Sequence, residues 1–401
     1  MTLPLMNIDD PESRPAPGIA LFNLGFRPFF LLAGISAVLL IPLWIFPYTR
    51  GQIEFGYYTA IHWHSHEMLF GYTAAVIAGF LLTAVRNWTD YPTPGGTALA
   101  GLVLLWLAGR IAPFLAGGLP EWMIAALDIA FLPILAISLS VPLLRRRQTR
   151  NLVFLFILSA LTLANGLIHL QLLGITAATA KPGLNLAVYL IVLLIAILGG
   201  RVIPFFTERA IAGATTRQWK SVEYLSLGSL VVLLVLELTR AAPLAVTVAA
   251  VFAALGHGLR LFGWYRKQVW SVPLLWVLHL GYAWLVAGFI FKALSAIGLA
   301  SPVLAVHAFT VGGIGTLTLG MMARVALGHT GRALRVGSAM LWAFVLANLA
   351  GMFRVYAPLI TPAYYDTGLV LAAIFWSTAF AIFVIVYANV LISPRIDGRP
   401  G

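Results

Sequence analysis

The sequence predicts an all-α polytopic membrane protein, a single bundle of about twelve transmembrane helices with both termini cytoplasmic. Three observations predict it. The 401 residues are 61% hydrophobic and only 9% charged, where a soluble chain carries about a quarter charged residues. The apolar residues fall in continuous runs long enough for helices to cross about 30 Å of hydrocarbon, which excludes the alternating strands of a membrane barrel. The basic residues gather in alternate connections between those runs.

In chain order, residues 1–27 form a short polar, Pro-rich tail with Asp9, Asp10 and Glu12 instead of a basic start. With no small-residue cleavage site after it, the first apolar run reads as a retained helix, not a signal peptide. Spans follow near 28–47, 61–85, 97–116, 121–144, 151–174, 184–206, 221–240, 242–262, 271–297, 302–328, 335–357 and 363–392. Helices are the default because lipid cannot satisfy an open backbone. Arg145, Arg146, Arg147 and Arg150 fill the fourth connection; Arg209, Arg217 and Lys220 fill the sixth. Arg266 and Lys267, Arg332 and Arg335, and Arg395 and Arg399 take the eighth, the tenth and the tail 393–401, whereas the odd connections hold only Arg50, Lys181 and Arg240. The positive-inside rule therefore puts both termini in the cytoplasm. No connection has room for a soluble domain, so 28–392 is one bundle.

The net charge of +12 lies in these loops and not in a basic tract of a polar domain, which argues against nucleic acid as a partner. Cysteine is absent. That removes disulfides, thiolate copper or haem ligation and cysteine-bound iron–sulfur clusters, leaving His, Met, Tyr and carboxylates for a metal.

The stretch Ala60 to Tyr72 carries His62, His64, His66 and Glu67 at the threshold of a long apolar run. Ionisable groups are expensive inside a bilayer, so three imidazoles in five positions point either to a metal or haem site or to an interfacial turn wetted by headgroups. Helical rise and orientation put His62, His64, His66, His169 and His307 in one outer-leaflet layer, and His257, His279 and His329 in the inner half. Two histidines on different helices at equal depth can clasp a haem iron, or relay protons. His64 and His66 point apart on one helix, so a single span can address two centres. The spans lack the Glu-x-x-His pairs of a di-iron cage, and His66-Glu67 lacks the second histidine of a zinc protease.

Arginines add a second signal. Arg110 and Arg354 fall at the outer level, Arg201 and Arg324 at the inner, with Arg260 near a span end where it can snorkel. The acids Glu67, Asp128, Glu223 and Glu237 are too few to pair them all, so haem propionates are candidate partners. Lys292 is a further buried charge to be matched to a carboxylate. The small-residue face from Val311 to Gly320 permits close helix approach, or close approach to a flat ligand.

Phe22-Asn-Leu-Gly-Phe-Arg-Pro-Phe-Phe30, Trp63-His-Ser-His-Glu-Met-Leu-Phe-Gly-Tyr72, Gly200-Arg-Val-Ile-Pro204, Leu278-His-Leu-Gly-Tyr282, the run from His307 to Thr316, and Gly328-His-Thr-Gly-Arg332 stand in this order. On these motifs the chain resembles, over nearly its whole length, the NnrS family of bacterial inner-membrane proteins associated with the response to nitric oxide. That family is described as containing haem and copper. The resemblance implies His64, His66, His279, His307 and His329 as candidate metal ligands, and His64, His66 and His307 with Arg110, Arg201 and Arg324 as candidate cofactor-binding residues. It leaves open which histidine holds which metal. His62, His169 and His257 lie outside the motifs. By fold-level analogy, the haem–copper oxidase core also has twelve helices and clasps haem with histidines of its second and tenth, which suggests His66 or His64 with His307. The chain departs from that core in having no adjacent His-His pair and no histidine on its sixth or seventh span.

The expected function is relief of nitric oxide stress, by binding or redox conversion of NO or its iron complexes, with an electron donor the sequence does not name. If catalytic, the chain is a redox enzyme of that response. The alternatives are a secondary transporter or proton relay built on the same intramembrane histidines and arginines, and a non-catalytic scaffold or sensor.

Overall fold

Long apolar runs closed by polar connections fold, in the computed structural model, into twelve helices among the described residues. Those residues are 18–51, 54–360 and 362–399. Most of the expected N-terminal tail, with Asp9, Asp10 and Glu12, lies outside them. The helices are α1 (Phe26–Thr49), α2 (Ala60–Thr89), α3 (Gly96–Leu115), α4 (Glu121–Arg145), α5 (Thr149–Leu172) and α6 (Ala180–Ala210). They continue with α7 (Lys220–Leu238), α8 (Pro243–Trp264), α9 (Pro273–Ala296), α10 (Pro302–His329), α11 (Ser338–Ile360) and α12 (Tyr365–Ile392). Each coincides with one expected span, ends shifting by a few residues where helical backbone runs on past the apolar core. One feature was not expected, a two-residue hairpin pairing β1 (Glu54–Phe55) with β2 (Tyr58–Thr59) ahead of α2. Thr59 then caps α2, its hydroxyl accepting from the His62 amide at 3.4 Å.

Burial sorts the helices. The most apolar window of α2 is 89% buried, against 72% for α9 and α10, 67% for α6 and 17% for α7. A helix apolar all round belongs at the centre, so α2, α6, α9 and α10 form the core. Sequence neighbours pack as antiparallel pairs, α7 on α8, α8 on α9 and α11 on α12, while α12 closes back on α1. Both termini therefore share one face of the bundle, termed here the terminal face. Ala20 N donates to Ile392 O at 2.7 Å across that closure. Arg27, fully buried, adds bonds from Nη1 to Leu391 O (2.9 Å) and Ser393 O (2.6 Å).

Two core helices change pitch where the histidine motifs sit. Glu67–Thr73 in α2 and Ala308–Gly315 in α10 are π-helical, a geometry that occurs mostly as short insertions at functional sites. In α2, Trp106 Nε1 donates to Gly71 O (3.1 Å) and Thr73 Oγ1 to Met68 O (2.7 Å), so the irregular turn keeps its carbonyls satisfied. The two helices are joined at mid-depth. Thr318 Oγ1 gives its proton to Ile314 O (2.6 Å) and so accepts from Tyr72 Oη at 2.5 Å. The small-residue face of α10 turns out to serve packing. A Cβ on Gly312 would collide with Trp284, and one on Gly315 with Trp376.

Candidate metal centres on the second helix

The side chains of α2 diverge at its entry, and each of two histidines joins a different group. His66, wholly buried, meets α4 and α5. Its Nε2 is 3.0 Å from Asp128 Oδ2 and 3.0 Å from Asn165 Oδ1, and its Nδ1 is 3.2 Å from Glu67 Oε1. His169 Nε2 reaches the same Asp128 Oδ2 at 2.9 Å, and Asn165 Nδ2 donates to it at 2.7 Å. The ligand atoms of His66, Asp128 and His169 lie within 4.8 Å of one another.

The protonation pattern follows from the acceptors. Asp128 Oδ2 accepts, so His169 carries its proton on Nε2 and its Nδ1 accepts from Tyr57 Oη, 3.1 Å away. Tyr57, in the hairpin outside the spans, is pushed above its ordinary pKa by burial first and by the Glu121 charge second, which keeps it a donor. Arg110 holds both carboxylates, its Nε 3.1 Å from Glu67 Oε2 and its Nη2 on Asp128 Oδ1. A cavity of about 10 Å³, near the size of one water, opens beside Arg110, Asp128 and Asn165.

His64 turns the other way, toward α1, α10 and α11. Its ring stacks on Trp44 with centroids 4.2 Å apart, and its buried Nδ1 has no hydrogen-bond partner. His307 of α10 lies within electrostatic reach of His64, and Arg354 of α11 within reach of both. His307 Nδ1 donates to Val303 O at 2.8 Å, which leaves the lone pair of Nε2 for a ligand. Arg354 has its guanidinium 5.7 Å from the centre of the Tyr365 ring, with no carboxylate partner among the described residues.

The remaining expected residues do not join these groups. His279 Nδ1 donates to Leu275 O at 2.9 Å, and the His329 ring lies 5.7 Å from that of Phe26 at the terminal face. Arg201 donates to Asn151 Oδ1 (2.7 Å), and Arg324 lies over the Phe206 ring at 3.8 Å. Lys292 meets Glu237 at 2.6 Å, the expected carboxylate match, and Arg260 meets Glu223 at 2.9 Å. The four acids thus neutralise Arg110, Arg260 and Lys292 and leave Arg201, Arg324 and Arg354 without a carboxylate. Asp128 and Asn165 were not expected at the site. The sequence signal for Asp128 was an acid one span after Arg110; Asn165, four residues before His169 on one helix face, gave none.

The sequence model for the NnrS protein matches residues 20–395. The chain belongs to the NnrS family. No curated protein matches it. The motifs shared with the NnrS family divide in the structure. The α2 and α10 motifs supply His64, His66 and His307, whereas the Phe22–Phe30 motif supplies the terminal-face closure through Arg27.

The donor sets can be weighed against the metals the NnrS family implies. Two imidazoles and a carboxylate converging on one point, without thiolate, suit Cu(II) or a comparable divalent ion. The unpartnered Nδ1 of His64 and the free Nε2 of His307 on another helix, with Arg354 unmatched by a carboxylate, are donor types that haem iron and a propionate take. Both sites fit.

Proposed function

We propose that this chain is a multi-pass inner-membrane protein of the nitric oxide response that holds two metal centres in the leaflet opposite its termini. Copper is assigned to His66, His169 and Asp128, and haem iron to His64 and His307 with Arg354 as propionate partner. The observation that carries the reading is the divergence of α2, which sends His64 and His66 into separate groups built from different helices. Haem iron would supply NO binding, and copper one-electron exchange with a donor.

The chain's own residues do the rest. Tyr57 Oη can donate to or accept from His169 Nδ1, so the phenol would hold the ring with Nε2 turned to Asp128 in either tautomer, including the one a metal at Nε2 would require. Arg110 holds Asp128 by its other oxygen and keeps Oδ2 facing the two imidazoles. Buried Trp63, Phe70 and Tyr58 keep bulk water away from the group. Arg324 lies 17 residues beyond His307, about 25 Å along α10, so Arg354 is the arginine that would meet a propionate of a haem held at His307.

Metal analysis and absorption spectroscopy of the purified protein test this. Asp128→Asn and His169→Ala are expected to lose the copper and keep the haem spectrum; His64→Ala and His307→Ala do the reverse. Full metal and colour in all four variants refutes the assignment. One observation favours a second reading. His66 has acceptors at both ring nitrogens and joins Glu67 to Asp128 and His169 beside a π-helical turn, as a proton relay of a transporter would. Substrate transport by metal-free protein would decide for it.

A further inference from the structure

Arg324 and the space beside it form a second kind of site. An apolar cavity of about 80 Å³ opens between α1, α2, α6, α9 and α10, walled by Val76, Leu194, Leu198, Val202, Leu317 and Met321 among others. Its hydroxyls, on Thr73 and Thr318, are turned to the carbonyls of Met68 and Ile314, so the wall offers water nothing. No imidazole lines it.

Arg324 stands one turn beyond Met321 on α10, its guanidinium over Phe206, one turn beyond Val202 on α6. It is 7% exposed, and its guanidinium nitrogens are not sealed within the protein. Among the described residues it has no carboxylate and no hydrogen-bond acceptor, only the Phe206 ring. A buried, unmatched guanidinium in lipid is costly and calls for an anion. Arg324 also lies five residues from the terminal-face end of α10, about 7.5 Å, which is headgroup depth.

We infer that Arg324 and this cavity bind an anionic phospholipid from the leaflet at the terminal face, the phosphate on the guanidinium and an acyl chain along the cavity. Charge complementarity at one end and a dry apolar wall at the other select an amphiphile over a free anion. The site is separate from the metal centres.

Native mass spectrometry of the intact protein, supplied with phosphatidylglycerol or phosphatidylethanolamine of identical chains, tests it. The wild type should retain phosphatidylglycerol about fivefold better, the ratio for one basic residue near an anionic headgroup. Arg324→Gln should abolish the preference, Arg324→Lys should keep part of it, and Leu194→Phe should lower retention of both lipids by filling the cavity. Metal content should stay unchanged in all three, which also reports that they fold. Equal retention of both lipids by the wild type, or a preference that survives Arg324→Gln, overturns the inference. So does retention of added oleate in place of phosphatidylglycerol, or loss of porphyrin from Arg324→Gln with lipid unchanged.

Discussion

At the residue scale the decisive relation is between Arg110 and two carboxylates. Glu67 and Asp128 are each almost wholly buried, and a buried anion persists only when paired. Removing the guanidinium leaves both unmatched in a medium where either alone is expensive. Arg110→Gln should therefore cost about 3–5 kcal/mol, read as a lower unfolding temperature in detergent, and a rearranged Asp128 should weaken metal retention in the same variant. Unchanged thermal stability would mean that the carboxylates are held neutral instead. Arg354 behaves differently, since no acid depends on it. Asp128 was visible in the sequence as an intramembrane acid, but nothing in its neighbourhood tied it to histidines 62 and 41 residues away.

At the scale of the element, the π-helical turns carry the argument. A π turn accommodates an extra residue, so the helix before it is rotated relative to the helix after it. In α2 the turn begins right after His66, and it sets the faces that His64 and His66 present. Deleting Met68 would restore α-helical pitch and turn the histidine end by about 100°. The expected outcome is loss of both haem absorbance and copper together, whereas each single histidine variant removes one. Retention of either metal would show that the entry of α2 is positioned by Thr59 and the hairpin alone. Glycine-rich α10 was legible as a close-packing face, and Gly312 and Gly315 seat Trp284 and Trp376.

For the whole molecule, the placement of charge predicts the orientation. The chain has no cysteine, so single cysteines report sidedness without background. A membrane-impermeant thiol reagent added to the outside should label Gly117→Cys, between α3 and α4, and leave Arg147→Cys, between α4 and α5, untouched. The opposite pattern would reverse the leaflet assigned to every site described above. Closure of α12 onto α1 through Arg27 joins the ends of the bundle, so both histidine groups and the apolar cavity lie within one set of packed helices.

The sequence by itself determined the number of helices and their order, because hydrophobic length is local and one-dimensional. It also carried the family, through several motifs in fixed order. Only the tertiary structure decided which residues meet. Depth placed His66, His169 and His307 at one level, but the choice of His169 for His66, and of His307 for His64, depends on the rotation of α2 about its axis. That rotation is set by the π turn and by contacts with α1, α4, α5 and α10, and no local pattern of residues encodes it.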